Sequence, residues 1–260
     1  MKRVLRDLKK YRWYLLYAAK SELRAEVAGS YLNWLWWILD PLLFMLVYTF
    51  IVRIVFSSRE EYFAAFVLVG LTAWNFFNKT VQGSVNIIRK NKSVVSKIYL
   101  PKYLLILINM MVLGFKMAVS FVLIFVLMVV LKIPFTPYIF HAVPVLIVLV
   151  TVTFGVATIF MHFGVFVRDL SNVTAVLLRL AFYMTGVFYS IPLRVPAPYG
   201  GILLRVNPIA FLTESLRGAL LYGTAPDYLL LGVWFLIGLA LTAVGIMTVY
   251  RFENSYVKVI

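Results

Sequence analysis

The sequence predicts an all-α integral membrane protein with six transmembrane helices, and three observations support this fold class. Hydrophobic residues make up 63% of the 260 residues and charged residues 13%, against roughly one half and one quarter in soluble domains. Apolar runs long enough to cross the ~30 Å hydrocarbon core recur along the chain. A six-span arrangement also gathers most basic residues on one side of the membrane.

Residues 2–20 are predicted to form an amphipathic helix that lies at the membrane interface ahead of the first span. Val4, Leu8, Tyr11, Leu15 and Ala18 recur every three or four residues, and the basic residues lie mostly off that stripe. A basic helix with one apolar face lies in the plane of the interface. A plain cytoplasmic helix is the alternative.

The six spans are followed by a short cytoplasmic tail, residues 251–260. With the N-terminus inside, sixteen of the twenty-five Lys and Arg residues fall on the inner side and five on the outer side. The positive-inside rule therefore places both termini in the cytoplasm. The predicted spans are 31–56, 62–88, 103–131, 138–166, 172–190 and 228–250, within a single membrane domain, 1–260.

Residues 191–227 are predicted to form short re-entrant or interfacial helices at the outer face. A seventh span over 201–221 would contain Arg205, Glu214 and Arg217. Each charge costs roughly 2.5–3.5 kcal/mol at the centre of an inserted helix, and pairing of Glu214 with Arg217 would offset only part of this.

Prolines and one asparagine set the expected helix boundaries in this segment. Pro192, Pro196 and Pro198 are expected to end the fifth helix, because proline removes a backbone donor and restricts the residue before it. Asn207 can then cap a new helix that has Pro208 at its first position.

Several classes of function are disfavoured by the composition. The chain has no cysteine, and no phosphate-binding loop of the form G-x-x-x-x-G-K-[ST]. His141 and His162 have no partner at metal-ligand spacing, so no metal site is predicted, and His162 is expected to bond to a neighbouring helix. The net charge of +15 fits cytoplasmic loops beside anionic lipid rather than nucleic acid. No catalytic residues are predicted.

Charged residues inside the predicted spans are candidates for function, because their burial in lipid is costly. Asp40 and Lys116 are expected near mid-span, where they could pair. Arg53 and Lys79 lie near span ends and are expected to extend their charges to the interface. Arg179 either does the same or attracts an anionic lipid head group.

Five basic residues surround a short apolar element between the second and third spans, in "NIIRKNKSVVSKIYLPK". Val94, Val95 and Ile98 could form one apolar side of a short helix that docks into a partner's groove. A positively charged loop without a partner is the alternative.

The same segment, with Arg89, Lys97 and Pro101, resembles the cytoplasmic signature of ABC-2 type permeases that export polysaccharides, most closely those of O-antigen exporters. Four further stretches resemble that family in the same order: "YLNWLWWILDPLLF" in the first span, "VRDL" after the fourth, "FYMTGVFYSIP" at the end of the fifth and "NPIAFLTESLRGALLYG" before the sixth.

The resemblance implies a homodimer that works with two copies of a separate ABC ATPase subunit, which would hold ATP and Mg²⁺, and no cofactor in this chain. It implies a lipid-linked polysaccharide as cargo and the bacterial inner membrane as location. Teichoic acid, capsule or a drug-like cargo is the alternative, and a channel, secondary transporter or membrane scaffold is a further one.

The resemblance also assigns roles to residues. The ATPase-coupling set is Arg89, Lys90, Val94, Val95, Lys97, Ile98, Tyr99 and Pro101. The entry site for the lipid-linked head group is Gly29 and Ser30. Arg179 joins this set because its charge in the fifth span could attract an anionic head group, not because of the resemblance. The outer gate set is Pro192, Arg194, Asn207, Pro208, Glu214 and Arg217.

Aromatic residues of the first and fifth spans are candidates for a pore lining, because sugar C–H faces pack on aromatic rings. Tyr31, Trp34 and Trp37 are three residues apart, which would place them on one helical face. Phe182 and Tyr189 are expected to share a face of the fifth span. Interface belts or helix packing are the alternative for each of these residues.

Overall fold

The computed structural model describes residues 2–29, 31–52 and 62–259, and this part of the chain consists of helices and turns without a β-strand. Short 3-10 turns are formed by Asn33–Leu35 and Pro137–His141. The helices are α1 (Lys2–Val27), α2 (Trp36–Phe50), α3 (Phe63–Val85), α4 (Ile87–Lys90), α5 (Lys92–Val95), α6 (Tyr103–Val130), α7 (Ala142–Phe166), α8 (Leu170–Met184), α9 (Ile191–Arg194), α10 (Tyr199–Val206), α11 (Pro208–Arg217) and α12 (Tyr228–Val259).

Within the described residues, four helical segments are long and apolar enough to cross a membrane: Asn33–Phe50, Tyr103–Val130, Pro137–Phe166 and Tyr228–Glu253. The chain is therefore a multi-pass, all-helical membrane protein. Two further predicted spans correspond to α3, in which polar residues interrupt the apolar sequence, and α8, which has only 15 residues. The total of six spans stays a prediction. Residues 53–56, at the end of the first predicted span, lie outside the described residues.

Helix α3 forms the centre of the bundle. Every residue from Ala65 to Trp74 is buried, and the helix packs against α2, α6, α7, α8 and α11. In this stretch α3 is apolar around its whole circumference, as expected of a helix surrounded by other helices. The second half of α3 is different, because it carries the polar residues described below.

Helices α7 and α12 pack closely through small residues. A Cβ atom added at Gly155 would lie 2.7 Å from the Cβ of Leu241, and one added at Gly245 would collide with the Thr158 hydroxyl. In a membrane, helices gain little from the hydrophobic effect between them, so close backbone approach of this kind provides the van der Waals contact.

The N-terminal helix predicted for residues 2–20 is present and extends to Val27. Leu15 and Ala19 are buried, and the helix packs mainly against α6. The apolar stripe of α1 therefore faces the bundle over this stretch. Its position at the membrane interface stays a prediction.

The fifth predicted span, 172–190, is too long by six residues at its C-terminal end. Helix α8 ends at Met184, and Gly186 adopts a left-handed conformation with φ of 65°, which favours glycine. The prolines therefore follow the helix end rather than cause it. Pro192 instead lies in the first turn of α9, where its missing N–H needs no partner.

The predicted boundary at Asn207 is confirmed. The Asn207 side chain accepts hydrogen bonds from the backbone N–H groups of Ile209 and Ala210 at 3.0 and 3.2 Å, and Pro208 is the first residue of α11. The Asn207 amide also donates to the Thr185 hydroxyl at 3.2 Å. One side chain thus fixes both the start of α11 and its position against the end of α8.

Arg217 connects α11 to the centre of the bundle. Its guanidinium donates to the carbonyl oxygens of Phe66, Gly186 and Val187 at 3.2, 3.0 and 2.8 Å and pairs with Glu214 at 3.2 Å, as predicted. Its central carbon lies 3.4 Å from the centroid of the Phe66 ring, and the residue is 1% exposed. Arg217 was expected in an outer gate, but the structure places its side chain in the core.

Replacing Arg217 with Met is expected to destabilise the protein by about 3 kcal/mol or more, because buried carbonyls would lose their donor. The measurement is the thermal unfolding midpoint in detergent. Arg205, which is exposed on α10, provides the control Arg205→Met. Equal midpoints for the two variants would show that the buried contacts of Arg217 do not stabilise the fold.

Candidate functional site

A stripe of polar residues runs along the second half of α3. Asn75, Asn78, Lys79, Gln82 and Asn86 recur at spacings of three, one, three and four residues, which places them on one side of the helix. Gln82 and Asn86 bond to Ser171 at the start of α8, the first to its carbonyl oxygen at 3.1 Å and the second to its hydroxyl at 3.0 Å. Asn75 and Lys79, nearer the N-terminal end of the stripe, line the cavities described below.

Two ion pairs lie beside this stripe. Lys79 Nζ is 3.5 Å from Asp40 Oδ2, and Lys116 Nζ is 2.6 Å from Glu26 Oε2. The expected pairing of Asp40 with Lys116 is therefore wrong, because α1 extends far enough for Glu26 to reach Lys116. Lys79, which was expected to extend its charge to the interface, lies close to Asp40 on the neighbouring helix, and its position relative to the interface stays a prediction. Arg53 lies outside the described residues.

Three adjoining cavities surround the ion pairs, and Lys79 lines all of them. The first cavity, of about 520 Å³, lies between the end of α1, α2, α3 and α6 and includes both ion pairs. The second, of about 450 Å³, lies between α2, α3 and α8 and includes Arg179. The third, of about 580 Å³, lies beneath α1 and includes Glu22 and Lys90.

The carboxyl group of Glu22 in the third cavity lies in an unusual environment for an acid. Burial, together with the nearby Glu26 carboxylate, raises the pKa of Glu22. Lys116 and Lys90 act in the opposite direction. Acidic, basic and amide groups are therefore close together beneath α1.

Aromatic rings complete the walls of the first two cavities. Trp36 and Trp37 line the first, where the Trp37 ring contacts Phe115 edge-on at 5.4 Å between centroids. Trp74 and Phe182 line the second, with their centroids 5.4 Å apart. Flat apolar faces thus stand beside carboxylate, ammonium and amide groups in both cavities.

The predicted pore residues of the first span are not brought together. Helix α2 begins at Trp36, and Asn33 has φ of 49°, so Tyr31, Trp34 and Trp37 do not follow one continuous helix. Tyr31 and Trp34 are exposed, whereas Trp37 packs on α6. The expectation of one shared face is wrong because this backbone conformation interrupts the helix.

The predicted pore residues of the fifth span are also separated. Phe182 lies on α8, but Tyr189 follows the helix end, and its hydroxyl donates to the Tyr183 carbonyl oxygen at 2.7 Å. Phe188, which the sequence analysis did not select, packs between Phe182 at 5.1 Å and Tyr48 of α2 at 3.8 Å. The turn at Gly186 is responsible, because it redirects the chain before Phe188.

The three predicted entry residues differ in position. Gly29 is exposed and has φ of 86°, and it follows Glu26 and Val27, which line the first cavity. Ser30 lies outside the described residues. Arg179 is exposed and lines the second cavity with Asp40 and Lys79. Arg179 is thus beside the charged groups of α2 and α3, rather than at the end of α1.

The predicted ATPase-coupling residues divide into a packed group and an exposed group. Val95 is 4% exposed, Pro101 is buried, and Arg89 donates to the Val165 carbonyl oxygen of α7 at 2.9 Å. The prediction that Val94, Val95 and Ile98 share one free apolar side is wrong, because Val95 packs into the core and Val94 is half-buried. The exposed members are Lys90, Lys97, Ile98 and Tyr99.

The predicted gate residues all belong to the short helices after α8. Pro192 and Arg194 are in α9, Asn207 and Pro208 begin α11, and Glu214 is half-buried beside Arg217. Of this set, Asn207 bonds to Thr185 at the end of α8 and Arg217 to the Phe66 carbonyl of α3, so these two residues hold the segment in place.

Sequence reasoning missed the polar stripe of α3 and the role of Glu26. The signal for the stripe was present, because polar residues that recur at helical spacing inside a predicted span rarely face lipid. The described residues contain no group of three or more His, Asp or Glu side chains that could hold a metal ion. The arrangement is suited to holding polar molecules in transit by exchangeable hydrogen bonds.

Comparison with known proteins gives a consistent result. No protein-family model matches the chain. Two proteins from Klebsiella pneumoniae, each named O-antigen export system permease protein RfbA, are 26% and 24% identical over 95% of this chain and 94% of each relative. A protein of the same name from Myxococcus xanthus is 29% identical over 87% of both chains. The resemblance inferred from the five motifs is thus confirmed, and the chain is similar over nearly its whole length to O-antigen export permeases.

Proposed function

We propose that this chain is the membrane permease subunit of an ABC exporter that moves a lipid-linked, O-antigen-like polysaccharide across the bacterial inner membrane, for lipopolysaccharide synthesis. The observation that carries the proposal is its similarity, over 87–95% of its length, to three O-antigen export permeases. The order of the five motifs along the sequence agrees with it.

The composition of the cavities supports a glycan cargo over an apolar one. Sites for drug-like molecules are lined mainly by apolar side chains with a few polar groups. Here the first cavity includes two ion pairs, Asn75 and two tryptophans. Amide and charged groups exchange hydrogen bonds with hydroxyls, while the indole rings offer surfaces to sugar C–H faces.

A partner must supply the energy, because the sequence has no phosphate-binding loop. In the proposed exporter, two ATPase subunits bind ATP and Mg²⁺, and each contacts the exposed surface formed by Lys90, Lys97, Ile98 and Tyr99. This surface combines positive charge with one apolar side chain. We place both termini and this surface in the cytoplasm from the distribution of basic residues.

A second copy of the chain is needed to complete the path. Helices α2 and α8 bury few residues, Pro41 and Met45 in one and Thr174 and Leu178 in the other. The second cavity, with Asp40, Lys79 and Arg179, lies between them. Exposing these charges to hydrocarbon would be costly, so we propose that a homodimer covers them and encloses a water-filled path, closed at its outer end by α9–α11.

Loss of this chain in its source bacterium is expected to abolish surface O-antigen, because the polysaccharide would remain on the inner leaflet. The measurement is an immunoblot of surface polysaccharide together with extraction of lipid-linked polysaccharide from the inner membrane. Plasmid-borne expression of the unaltered chain is the control. Unchanged O-antigen with loss of another polymer, such as capsule or teichoic acid, would contradict the proposed cargo while keeping the exporter class.

Replacing Ile98 with Asp is expected to weaken binding of the ATPase subunit at least tenfold, as for truncation of an apolar interface anchor, roughly 1.4 kcal/mol. Ile98 is 50% exposed, so the change should leave the fold intact. The measurement is co-purification of the two subunits with quantified yields. Leu193→Asp, at an exposed leucine in the 191–227 segment, is the control, and equal loss in both variants would contradict the assignment of this surface.

Replacing Lys79 with Met is expected to slow export at least threefold, because it leaves the Asp40 carboxylate unpaired beside the path. The Asp40→Asn, Lys79→Met double variant should recover part of this loss, because neither position then leaves the charge of the other without its partner. The measurement is the rate of polysaccharide appearance at the cell surface, at matched protein levels.

Lys132→Met, at an exposed lysine outside the cavities, is the matched control for this cycle. The Asp40→Asn single variant completes the cycle. If the losses in Asp40→Asn and Lys79→Met simply add in the double variant, the Asp40–Lys79 pair has no joint role in export.

A further inference from the structure

Tyr99, which lies in the segment proposed to contact the ATPase, is bonded to both ends of the chain. Arg3 Nη2 of α1 donates to the Tyr99 hydroxyl at 2.7 Å, and this hydroxyl donates to Glu253 of α12 at 3.1 Å. Arg3 and Glu253 also pair directly at 3.4 Å. The Tyr99 carbonyl oxygen accepts a further bond from the Tyr11 hydroxyl at 3.2 Å. Three segments far apart in sequence thus meet at one side chain.

A second set of contacts, close to Tyr99, holds the two end helices, α1 and α12, together. The Arg3 guanidinium lies 4.2 Å from the centroid of the Tyr250 ring. The Tyr250 hydroxyl donates to Asp7 at 2.6 Å and lies 3.3 Å from the Tyr103 hydroxyl at the start of α6. Asp7 is buried. The end helices therefore form a firm support, against which the Tyr99 segment rests.

We propose that Arg3, Tyr99 and Glu253 form a latch that positions the ATPase-contacting segment, so that its movement is passed to α1 and α12. The proposal rests on the proposed function, because it needs an ATPase that acts on this segment. The three residues are positioning residues, since none of them lines the cavities.

The chemistry of the latch favours a contact that can open and close. The Tyr99 ring is exposed, but partial desolvation of its hydroxyl, reinforced by the Glu253 carboxylate, raises the pKa of Tyr99, so the hydroxyl keeps the proton that it donates. The Arg3 side chain is 48% exposed, and ion pairs with this exposure contribute little to stability. Such a contact fixes an orientation without locking the segment permanently.

Of the side chains near Tyr99, that of Lys102 is buried and that of Ile98 is exposed. Lys102 is 3% exposed, and its ammonium donates to the Leu100 carbonyl oxygen at 3.0 Å and lies 5.6 Å from the centroid of the Tyr99 ring. Burial lowers the pKa of Lys102. Ile98 is exposed and can contact a partner, whereas Tyr99 and Lys102 are bonded to the bundle. The latch is therefore the first point at which a displacement of Ile98 by the partner would reach the bundle.

The test uses the complex of this chain with its ATPase subunit. The variants are Arg3→Gln, Tyr99→Phe, Glu253→Gln and the exchanged pair Arg3→Glu with Glu253→Arg. Arg6→Gln is the matched control, because Arg6 is an exposed arginine one turn further along α1. The measurements are MgATP hydrolysis in lipid nanodiscs, surface polysaccharide in cells, the yield of the complex and its thermal midpoint.

Each single latch variant is expected to lower the polysaccharide exported per ATP hydrolysed about threefold, the size of effect that a weak surface contact can have. The midpoint should match the control in every variant. The yield should match it in Arg3→Gln and Glu253→Gln, whose residues lie outside the ATPase-contacting surface, and the exchanged pair should recover most of the ratio. An unchanged ratio, or an exchanged pair no better than the single variants, would overturn the latch. Failure of the unaltered chain to bind the ATPase would overturn the proposed function itself and would be detected first, in the yields.

Discussion

Hydrocarbon cannot donate or accept hydrogen bonds, and this constraint explains how the two halves of α3 are surrounded. The first half is apolar and enclosed by helices. The Arg217 guanidinium reaches it and is satisfied by three carbonyl oxygens and Glu214. The second half carries amides and Lys79, which protein contacts satisfy only in part. The remaining demand is met by the Asp40 carboxylate and by cavities that can hold water or cargo.

Much of the fold follows from local signals that the sequence contains. Apolar runs predicted the long helices, and the Asn207–Pro208 pair predicted the start of α11 because both residues act on their own backbone. The pairing of Glu214 with Arg217 is similarly local. The expected bond of His162 to a neighbouring helix is also found, to the Tyr256 hydroxyl at 2.7 Å, because a ring nitrogen between packed helices needs a partner.

The incorrect predictions share a different cause, which is that they depend on partners far away in sequence. Asp40 meets Lys79 rather than Lys116 because of how α2, α3 and the end of α1 are arranged. Val95 is buried by other helices, whereas Ile98, three residues later and expected on the same helical face, is exposed. The end of α8 depends on a left-handed turn at Gly186, and the prolines further on gave a stronger but misplaced signal. Local patterns in a single sequence do not specify which distant residues come into contact.

Helix α1 offers a physical route between the two regions that the proposed function requires. Its 26 residues form one helix about 39 Å long, with Arg3 in the latch near one end and Glu26 in the ion pair with Lys116 near the other. An α-helix transmits displacement along its length because each turn is hydrogen-bonded to the next. A shift of the Tyr99 segment would therefore reach the Glu26–Lys116 pair, where a contact of 2.6 Å connects α1 to a charged residue in the wall of the first cavity. In this view α1 as a whole links ATP hydrolysis by the partner to the polar path, which accounts for the charged contacts at both of its ends.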